Sequence, residues 1–363
     1  LISYLADLLG SNKKMLVLIK KELSETAEKY SDERRTKVAS GGAKSISLED
    51  TIAEEENVLV LTQGGYIKRT NPDEYRRQKR GGVGVIDLDT KEEDFVTTFL
   101  TASTHSDLLF FTDKGKAYQI KMYELPEGRR ATKGKAIVNF LSISAEEKVT
   151  SVLAMPKEIK GGAHSLLMVT RQGVAKKVAS KSFSDVRRSG LIAIKLQAGD
   201  ELISASFVEK GDEVMLGTSN GQSIRFKESD IRDMGRNAGG VRAMKLSKGD
   251  IIVGCDIVHK DEKDAEFFVI TQNGFGKKTP LKEYKVQKRG GSGIKTVKVT
   301  PKTGKLIASK VVTPAIEEFV AISKKSQVIR ATLAEISSLG RQTQGVRIMR
   351  LREGDSIASF TCL

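Results

Sequence analysis

The chain has 363 residues, 39% of them hydrophobic, which is enough to bury a sizeable core. Lysine and arginine total 61 against 46 acidic residues, and the net charge of +15 favours a polyanionic partner, most often a nucleic acid. No apolar run reaches the roughly 20 residues of a membrane helix, no secretory signal is visible, and the two cysteines are typical of free thiols in a reducing compartment.

The first segment has helical periodicity. Apolar residues recur at helical spacing before and after Ser11 and Asn12, which are candidate helix caps. The chain begins with Leu rather than Met, so we expect residues 1–38 to be the end of a helical hairpin or coiled coil of a longer protein. Residues 39–56 contain Ser40-Gly41-Gly42 and Glu54-Glu55-Glu56 and are predicted to be a linker, followed by a β-domain at residues 57–363.

The β-domain shows six strand–turn–strand patterns with a period of two within each strand. Their turns end at Gly65, Gly115, Gly173, Gly221, Gly274 and Ser326. The two Asn-Gly pairs are the strongest hairpin signals, because both residues tolerate a positive φ.

An arginine follows each turn at a fixed distance of fifteen residues. These arginines are Arg80, Arg130, Arg188, Arg236, Arg289 and Arg341, and both series advance by 50, 58, 48, 53 and 52 residues. Such a period indicates stacked or radially arranged units. A further strand is predicted after most of these arginines, at residues 85–88, 192–196, 241–246, 294–299 and 346–351. With another strand before most of the next units, this gives about four strands per unit. We therefore predict an all-β, six-bladed propeller-like fold after a short α-helical segment, since radial closure protects sheet edges. An open solenoid is the alternative.

A basic residue stands four positions after the turn in five of the six repeats. These residues are Arg69, Lys177, Arg225, Lys278 and Arg330, and the second repeat has Gln119. Lys68, Lys176 and Lys277 precede three of them. We predict that this row binds DNA; a merely solvated outer face is the alternative.

Glycine and basic residues surround the repeated arginine. The first loop is Gln78-Lys79-Arg80-Gly81-Gly82-Val83-Gly84, and the fifth is Gln287-Lys288-Arg289-Gly290-Gly291-Ser292-Gly293. Glycines let a backbone approach phosphate closely, and Arg can bind phosphate through two hydrogen bonds. Weaker forms are Arg130 with Lys133 and Lys135, Arg188, Arg236 and Arg341. A tight turn between blades is the structural alternative, and both interpretations can hold at once.

The first of these loops resembles the GyrA box, the heptapeptide Q-R-R-G-G-K-G of the C-terminal domain of bacterial DNA gyrase A. Similar segments occur along the chain, including Tyr66-Ile67-Lys68, Glu92-Glu93-Asp94-Phe95 and Phe226-Lys227-Glu228-Ser229. Residues 1–38 resemble the last stretch of the coiled-coil arm in the DNA-cleaving portion of gyrase A. Lys79 and Val83 replace the usual Arg and Lys, so this box carries one charge fewer.

The resemblance implies a six-bladed β-pinwheel whose blades exchange strands and whose basic rim wraps double-stranded DNA with positive handedness. Wrapping of this kind is not sequence-specific and supports negative supercoiling by gyrase. The implied partners are the rest of gyrase A and the gyrase B protein, in a heterotetramer with two copies of each, in the bacterial cytoplasm with the nucleoid. The parent would be an ATP-dependent type II topoisomerase, an isomerase that uses ATP and magnesium elsewhere, with its cleaving tyrosine upstream of Leu1.

We expect no catalytic site, metal site, cofactor or membrane partner in the chain itself. His105, His164 and His259 are widely separated, and no Cys/His cluster suits zinc. The equivalent C-terminal domain of topoisomerase IV, an enzyme that decatenates DNA, is an alternative, although two well-formed boxes and six repeats favour gyrase. A protein-binding propeller is a third hypothesis, and the aromatic content of 6% counts against it.

Overall fold

The computed structural model describes residues 1–32, 36, 49–75, 94, 96–129, 131–144, 146–155, 164–262, 264–325 and 327–362. These residues form two compact units, Leu1–Thr51 and Ile52–Leu363. The first unit contains the α-helices and the second is built from β-strands, as the sequence predicts.

Two α-helices make up most of the N-terminal unit. α1 spans Ile2–Leu9 and α2 spans Asn12–Tyr30, with Ser11 at the N-cap position of α2. The Lys14 ammonium donates a hydrogen bond to the Asp7 carboxylate at 2.6 Å, which joins the two helices. Within the described ranges, neither helix combines the length and the apolar content that a membrane crossing requires.

The second unit consists of short strands. In chain order they are β1 (Glu56–Thr62), β2 (Tyr66–Thr70), β3 (Val96–Ser103), β4 (Asp107–Thr112), β5 (Lys116–Lys121), β6 (Lys135–Ala136), β7 (Val149–Met155), β8 (Ser165–Thr170), β9 (Val174–Ala179), β10 (Leu191–Ile192), β11 (Leu202–Val208), β12 (Glu213–Thr218), β13 (Gln222–Lys227), β14 (Val241–Arg242), β15 (Ile252–Val258), β16 (Glu266–Thr271), β17 (Phe275–Pro280), β18 (Ile294–Lys295), β19 (Leu306–Val312), β20 (Glu318–Ser323), β21 (Val328–Thr332), β22 (Val346–Arg347) and β23 (Ile357–Cys362).

Each blade is an antiparallel sheet built on one hairpin. On one side, the hairpin is flanked by the strand that follows it towards the next repeat. In the first five blades, a two-residue strand from that next repeat flanks the other side. The sheets are β3-β1-β2-β6, β10-β5-β4-β7, β11-β8-β9-β14, β15-β12-β13-β18, β19-β16-β17-β22 and β21-β20-β23. Exchange of the short strand ties a blade to its successor. The corresponding strand predicted in the first repeat, at residues 85–88, lies outside the described residues.

The exchanged strands are shorter than the sequence predicts. In the fourth repeat only Val241 and Arg242 pair with the neighbouring sheet, whereas the alternation predicted a strand as far as Leu246. Ala243 and Met244 turn into the core instead, where they are 0% and 2% exposed. The backbone N–H groups of both residues donate to the same acceptor, the Gly173 carbonyl, and the regular strand pairing ends at Arg242.

The blades form a ring. β3, β7, β11, β15, β19 and β23 each lie against the next, and β23 lies against β3. This six-bladed, propeller-like arrangement confirms the predicted fold class, and the contact between the last and first blades excludes the open solenoid.

Both faces of a hairpin are buried between neighbouring blades. In β4, Leu108 and Phe110 belong to the cluster shared with the first blade, whereas Leu109 and Phe111 belong to the cluster shared with the third. Because successive strand residues point to opposite faces, two-sided burial requires continuous apolar runs rather than strict alternation.

An acidic residue anchors the hairpin turn in several repeats. In the fourth, the Asp250 carboxylate accepts hydrogen bonds from Thr218 Oγ1 at 2.7 Å, Ser219 Oγ at 2.8 Å and the Asn220 backbone N–H at 2.9 Å. Gly221 completes the turn with a φ of +78°, where a Cβ would lie 2.7 Å from a backbone oxygen. The predicted Asn-Gly turn therefore needs its glycine for both conformation and space.

Candidate nucleic-acid interface

The basic residues that follow the hairpin turns are ion-paired. The pairs are Arg69–Glu127, Lys177–Glu228, Arg225–Glu213, Lys278–Glu266 and Arg330–Glu318. Arg330 is 52% exposed, but the other four basic side chains are 11–18% exposed. The expectation of a free, solvent-facing row is therefore wrong at Arg69, Lys177, Arg225 and Lys278, because neighbouring blades cover both faces of each sheet.

The lysines one position earlier are buried more deeply. Lys68, Lys176 and Lys277 are 1%, 0% and 0% exposed, and their ammonium groups donate to backbone carbonyls. Burial, reinforced by the nearby Arg236 and Arg341 respectively, lowers the pKa of Lys176 and the pKa of Lys277 to about 8. The expectation that these three lysines present charge at the surface is wrong.

The second box-like loop, residues 287–293, is a tight connection between blades. Arg289 donates through Nε to the Asp230 carbonyl at 2.8 Å and through Nη1 to the Arg242 carbonyl at 2.9 Å. Gly293 has a φ of +73°, and a Cβ there would lie 2.3 Å from a backbone oxygen. The structural interpretation therefore accounts for Arg289 and the glycines, and Lys288 is the exposed cation of the loop.

The other loop arginines differ in their availability to a ligand. Arg188 is ion-paired with Glu124, and Arg341 donates through Nη1 to a backbone carbonyl at 3.4 Å. Arg236 is exposed, and its guanidinium has no hydrogen-bond or ion-pair partner among the described residues. Glu124, which pairs with Arg188 of the third repeat, stands nine residues after the hairpin turn of the second repeat. The equivalent residue for Arg236 of the fourth repeat is Ser182, nine residues after the hairpin turn of the third repeat. The third repeat therefore offers no carboxylate at the position from which Glu124 pairs with Arg188.

The GyrA-box-like loop at residues 78–84 and Arg130 lie outside the described residues. In the remainder of the second loop, Lys133 places its Nζ 3.7 Å from the ring centroid of Tyr66, and Lys135 on β6 is exposed.

A second series of cations, which the repeats aligned on their hairpin turns do not indicate, lies on and just after the exchanged strands. A glycine precedes each of these exchanged strands, and the cations stand two and five positions after it. These glycines are Gly190, Gly240, Gly293 and Gly345. The second positions are Arg242, Lys295 and Arg347, and the fifth positions are Lys195, Lys245, Lys298 and Arg350. All seven side chains are exposed, and none has an ion-pair partner within the part of the chain that the structure describes. Alignment on this glycine, rather than on the turn, reveals the series.

These cations lie beside the arginine loop of the following repeat. The backbone N–H of Lys245 donates to the Gly291 carbonyl at 2.9 Å, and that of Lys298 donates to the Thr343 carbonyl at 3.0 Å. Adjacent repeats therefore carry neighbouring positive segments from the third repeat to the sixth. We name the seven residues together with Arg236 the cationic rim. Exposed cations without acidic partners attract a polyanion, and no recognition helix accompanies them in the described residues.

The histidines have polar partners that account for them structurally. His105 Nε2 donates to the Ile52 carbonyl at 2.9 Å, and His164 and His259 contact carboxylates at 2.7 and 3.1 Å. Across the described ranges, no group of three or more His, Cys, Asp or Glu side chains is arranged to hold a metal ion.

Comparison with known proteins shows similarity along almost the whole chain. The family model described as "DNA gyrase C-terminal domain, beta-propeller" matches residues 56–103, 106–154, 164–209, 212–259, 265–313 and 317–363. The chain is 37% identical over 358 residues to DNA gyrase A of Staphylococcus epidermidis and 38% identical to that of Staphylococcus aureus. Each alignment covers 99% of this chain, which spans 40% of the length of these curated relatives.

Two solved structures resemble the fold closely. A C-terminal domain of DNA topoisomerase IV has a TM-score of 0.72 and 26% identity, covering 86% of this chain and 94% of that one. A DNA gyrase A C-terminal domain has a TM-score of 0.69 and 27% identity, covering 85% of this chain and 99% of that one.

Proposed function

Because this chain belongs to the DNA gyrase C-terminal domain family of β-propellers, we propose that it wraps double-stranded DNA around the cationic rim. Binding is not sequence-specific, since the contacts are made to phosphates. Wrapping presents one DNA segment to another and so supports negative supercoiling by DNA gyrase, a type II topoisomerase.

The placement of the rim cations carries this proposal. Bending DNA costs on the order of 1–6 kcal/mol for 20–30 bp turned through 40–90°. Phosphate contacts offset this cost only if they follow one continuous path, because a cluster on one blade would bind DNA without bending it. Exposed cations at equivalent positions of successive repeats, such as Arg242, Lys295 and Arg347, supply such a path.

Further predicted contacts remain part of the proposal. They are the box-like loop at residues 78–84, Arg130, Lys133, Lys135, Arg188, Lys288, Arg330 and Arg341. We also propose that residues 1–38 end a coiled-coil arm and that residues 39–56 link it to the wrapping domain at residues 57–363.

In the proposed parent enzyme this chain has a non-catalytic role. It works with the rest of gyrase A and with the gyrase B protein, as a heterotetramer with two copies of each in the bacterial cytoplasm, associated with the nucleoid. DNA cleavage by a tyrosine, ATP hydrolysis and the use of magnesium belong to other parts of that assembly. The chain spans 40% of the length of its curated relatives, which supports the assignment of these activities to other parts of the assembly.

A linking-number assay tests the wrapping. A nicked plasmid is bound to the chain, ligated and compared with ligated plasmid alone, and we expect a shift in linking number. Arg242→Ala/Lys295→Ala should reduce the shift. The control Lys210→Ala/Lys260→Ala removes the same charge from the β11–β12 and β15–β16 connections and should preserve it. No shift with the unmodified chain would reject wrapping, and equal losses in both variants would reject the rim.

The C-terminal domain of topoisomerase IV is the second candidate, because one such domain has a TM-score of 0.72 with this chain. A topoisomerase IV would decatenate linked DNA circles rather than supercoil them. The parent enzyme should be assembled and given a relaxed plasmid with ATP. Negative supercoiling supports gyrase, whereas decatenation without supercoiling supports topoisomerase IV.

A further inference from the structure

Three lysines lie beneath the arginine loops and not on the cationic rim. Lys68, Lys176 and Lys277 stand three residues after the hairpin turns of the first, third and fifth repeats. The equivalent residues in the second, fourth and sixth repeats are Tyr118, Ile224 and Ile329. Since the same strand position accepts neutral side chains, strand formation alone does not explain the lysines.

Each lysine binds an arginine loop that is 60 or more residues away in sequence. The Lys277 ammonium donates to the Arg341 carbonyl at 2.7 Å, to Thr343 Oγ1 at 3.0 Å and to the Gly340 carbonyl. Three acceptors match the three N–H donors of an ammonium group. The Lys176 ammonium donates to the Ala193 carbonyl at 2.7 Å and to the carbonyl of Arg236 itself.

The third and fifth arginine loops lie next to a neutral side chain instead of a lysine, and in each of them the loop's own arginine makes the anchoring contacts. The fifth loop lies near Ile224, and there the Arg289 guanidinium binds two backbone carbonyls. The third loop lies against Tyr118, and there Arg188 is paired with Glu124. In the fourth loop Lys176 provides the anchor, and the guanidinium of Arg236 is exposed and unpartnered among the described residues.

We propose that Lys176 is a positioning residue for DNA binding, which anchors the fourth loop from inside the fold and so leaves the Arg236 guanidinium free for a phosphate. Lys277 anchors the sixth loop in the same way, and there the Arg341 guanidinium also donates to the Lys295 carbonyl at 3.4 Å. This inference rests on the proposed function and explains why one rim residue, Arg236, is available to a phosphate. Neither ammonium touches DNA, because both side chains are fully buried.

A double-mutant cycle on the complete 363-residue chain tests the inference. DNA affinity is measured at fixed salt for Lys176→Met, Arg236→Ala and the combined variant. We expect losses of about threefold for Lys176→Met and about fivefold for Arg236→Ala, with about fivefold for the combination. A combined loss of about fifteenfold would overturn the inference, because the two residues would then act independently.

The salt dependence separates positioning from general stability. Arg236→Ala should reduce the slope of log affinity against log salt by about 0.9, and Lys176→Met should reduce it by a similar amount although Lys176 is buried. Ile224→Met is the control, because Ile224 occupies the position equivalent to Lys176 in the fourth repeat. The loop next to Ile224 is anchored by Arg289, so this substitution should leave the slope unchanged. An unchanged slope in Lys176→Met would contradict the inference.

A second substitution at Lys176 and a comparison with the linking-number assay complete the test. If Lys176→Met does not fold, Lys176→Ile replaces it in the cycle, because isoleucine occupies the equivalent position in the fourth and sixth repeats. If the unmodified chain leaves the linking number unchanged but the cycle shows coupling, wrapping fails and the positioning role stands. If the chain wraps DNA and the cycle is additive, the positioning role alone fails.

Discussion

The guanidinium of Arg289 lies 2.9 Å from the backbone carbonyl oxygen of Arg242 and donates a hydrogen bond to it. This bond joins the arginine loop of the fifth repeat to the exchanged strand of the fourth. One arginine thus fixes the backbone from which the other projects into solvent. The two have identical chemistry and different roles, and the difference comes from burial and hydrogen-bond partners.

Substitution of Arg289 should therefore affect stability more than charge. Arg289→Ala removes the bonds to the Asp230 and Arg242 carbonyls, and we expect the free energy of unfolding to fall by about 1–3 kcal/mol. Lys288→Ala, one residue earlier, removes an exposed cation and should weaken DNA binding without changing stability. Urea unfolding and DNA titration of both variants measure the contrast. Equal stability of the two variants would contradict the anchoring role.

The acidic anchor of the fourth hairpin provides a second stability prediction. Asp250→Ala leaves the Thr218 and Ser219 hydroxyls and the Asn220 N–H without their acceptor, and we expect a loss of about 2–4 kcal/mol in unfolding free energy. DNA affinity, measured well below the unfolding temperature, should not change, because Asp250 is 7% exposed and does not belong to the rim. A loss of affinity in the folded variant would show that the turn itself contacts DNA.

The architecture was predictable because its signals are local and repeated. The Asn-Gly turns at Gly221 and Gly274 define hairpins, and the spacing of the six turns defines blades of similar size. The exchange of strands entered only through the resemblance, because the residues at each exchanged strand do not indicate which sheet they join. The length of that strand also depends on tertiary packing, which turns Ala243 and Met244 inward.

The role of the basic residues was harder to predict. A constant sequence offset shows that Arg225 and Lys278 are equivalent, but it does not show which surface they face. The continuous apolar run from Leu108 to Phe111 does indicate burial on both faces, and that signal argues against a solvated row on the same hairpins. The acidic partner of Arg225 is Glu213, twelve residues earlier on the paired strand, and antiparallel registration brings the two together.

The rim predicts a specific salt dependence of DNA binding. Arg242→Ala, Lys295→Ala and Arg347→Ala should each reduce the slope of log affinity against log salt by about 0.9, because each removes one phosphate contact. Arg225→Ala removes the same charge from a side chain that is 18% exposed and paired with Glu213. It should lower stability and leave the slope unchanged. Equal slope changes for Arg225→Ala and Arg242→Ala would show that net charge, not rim position, controls binding.

The buried lysines predict a rise in stability with pH. The pKa of Lys176 in the folded chain is about 8, below its ordinary value of 10.5, so the unfolded chain binds more protons between these values. The cost of burying the charge is therefore present in full below pH 8 and is relieved as pH rises. Relative to Lys176→Met, the free energy of unfolding should increase between about pH 8 and about pH 9.5 by at most about 1.4 kcal/mol per pH unit.

The comparison with Lys176→Met is needed because other groups act in the opposite direction. Burial raises the pKa of Cys255 and raises the pKa of Cys362 to about 12, so both thiols favour unfolding above pH 9. These contributions are common to both proteins and cancel in the difference. After burial, the charge of Arg236 also holds the pKa of the Lys176 ammonium down. Arg236→Ala should therefore shift the pH-dependent window upward, and a window that does not move would show that Arg236 exerts no field on the buried ammonium.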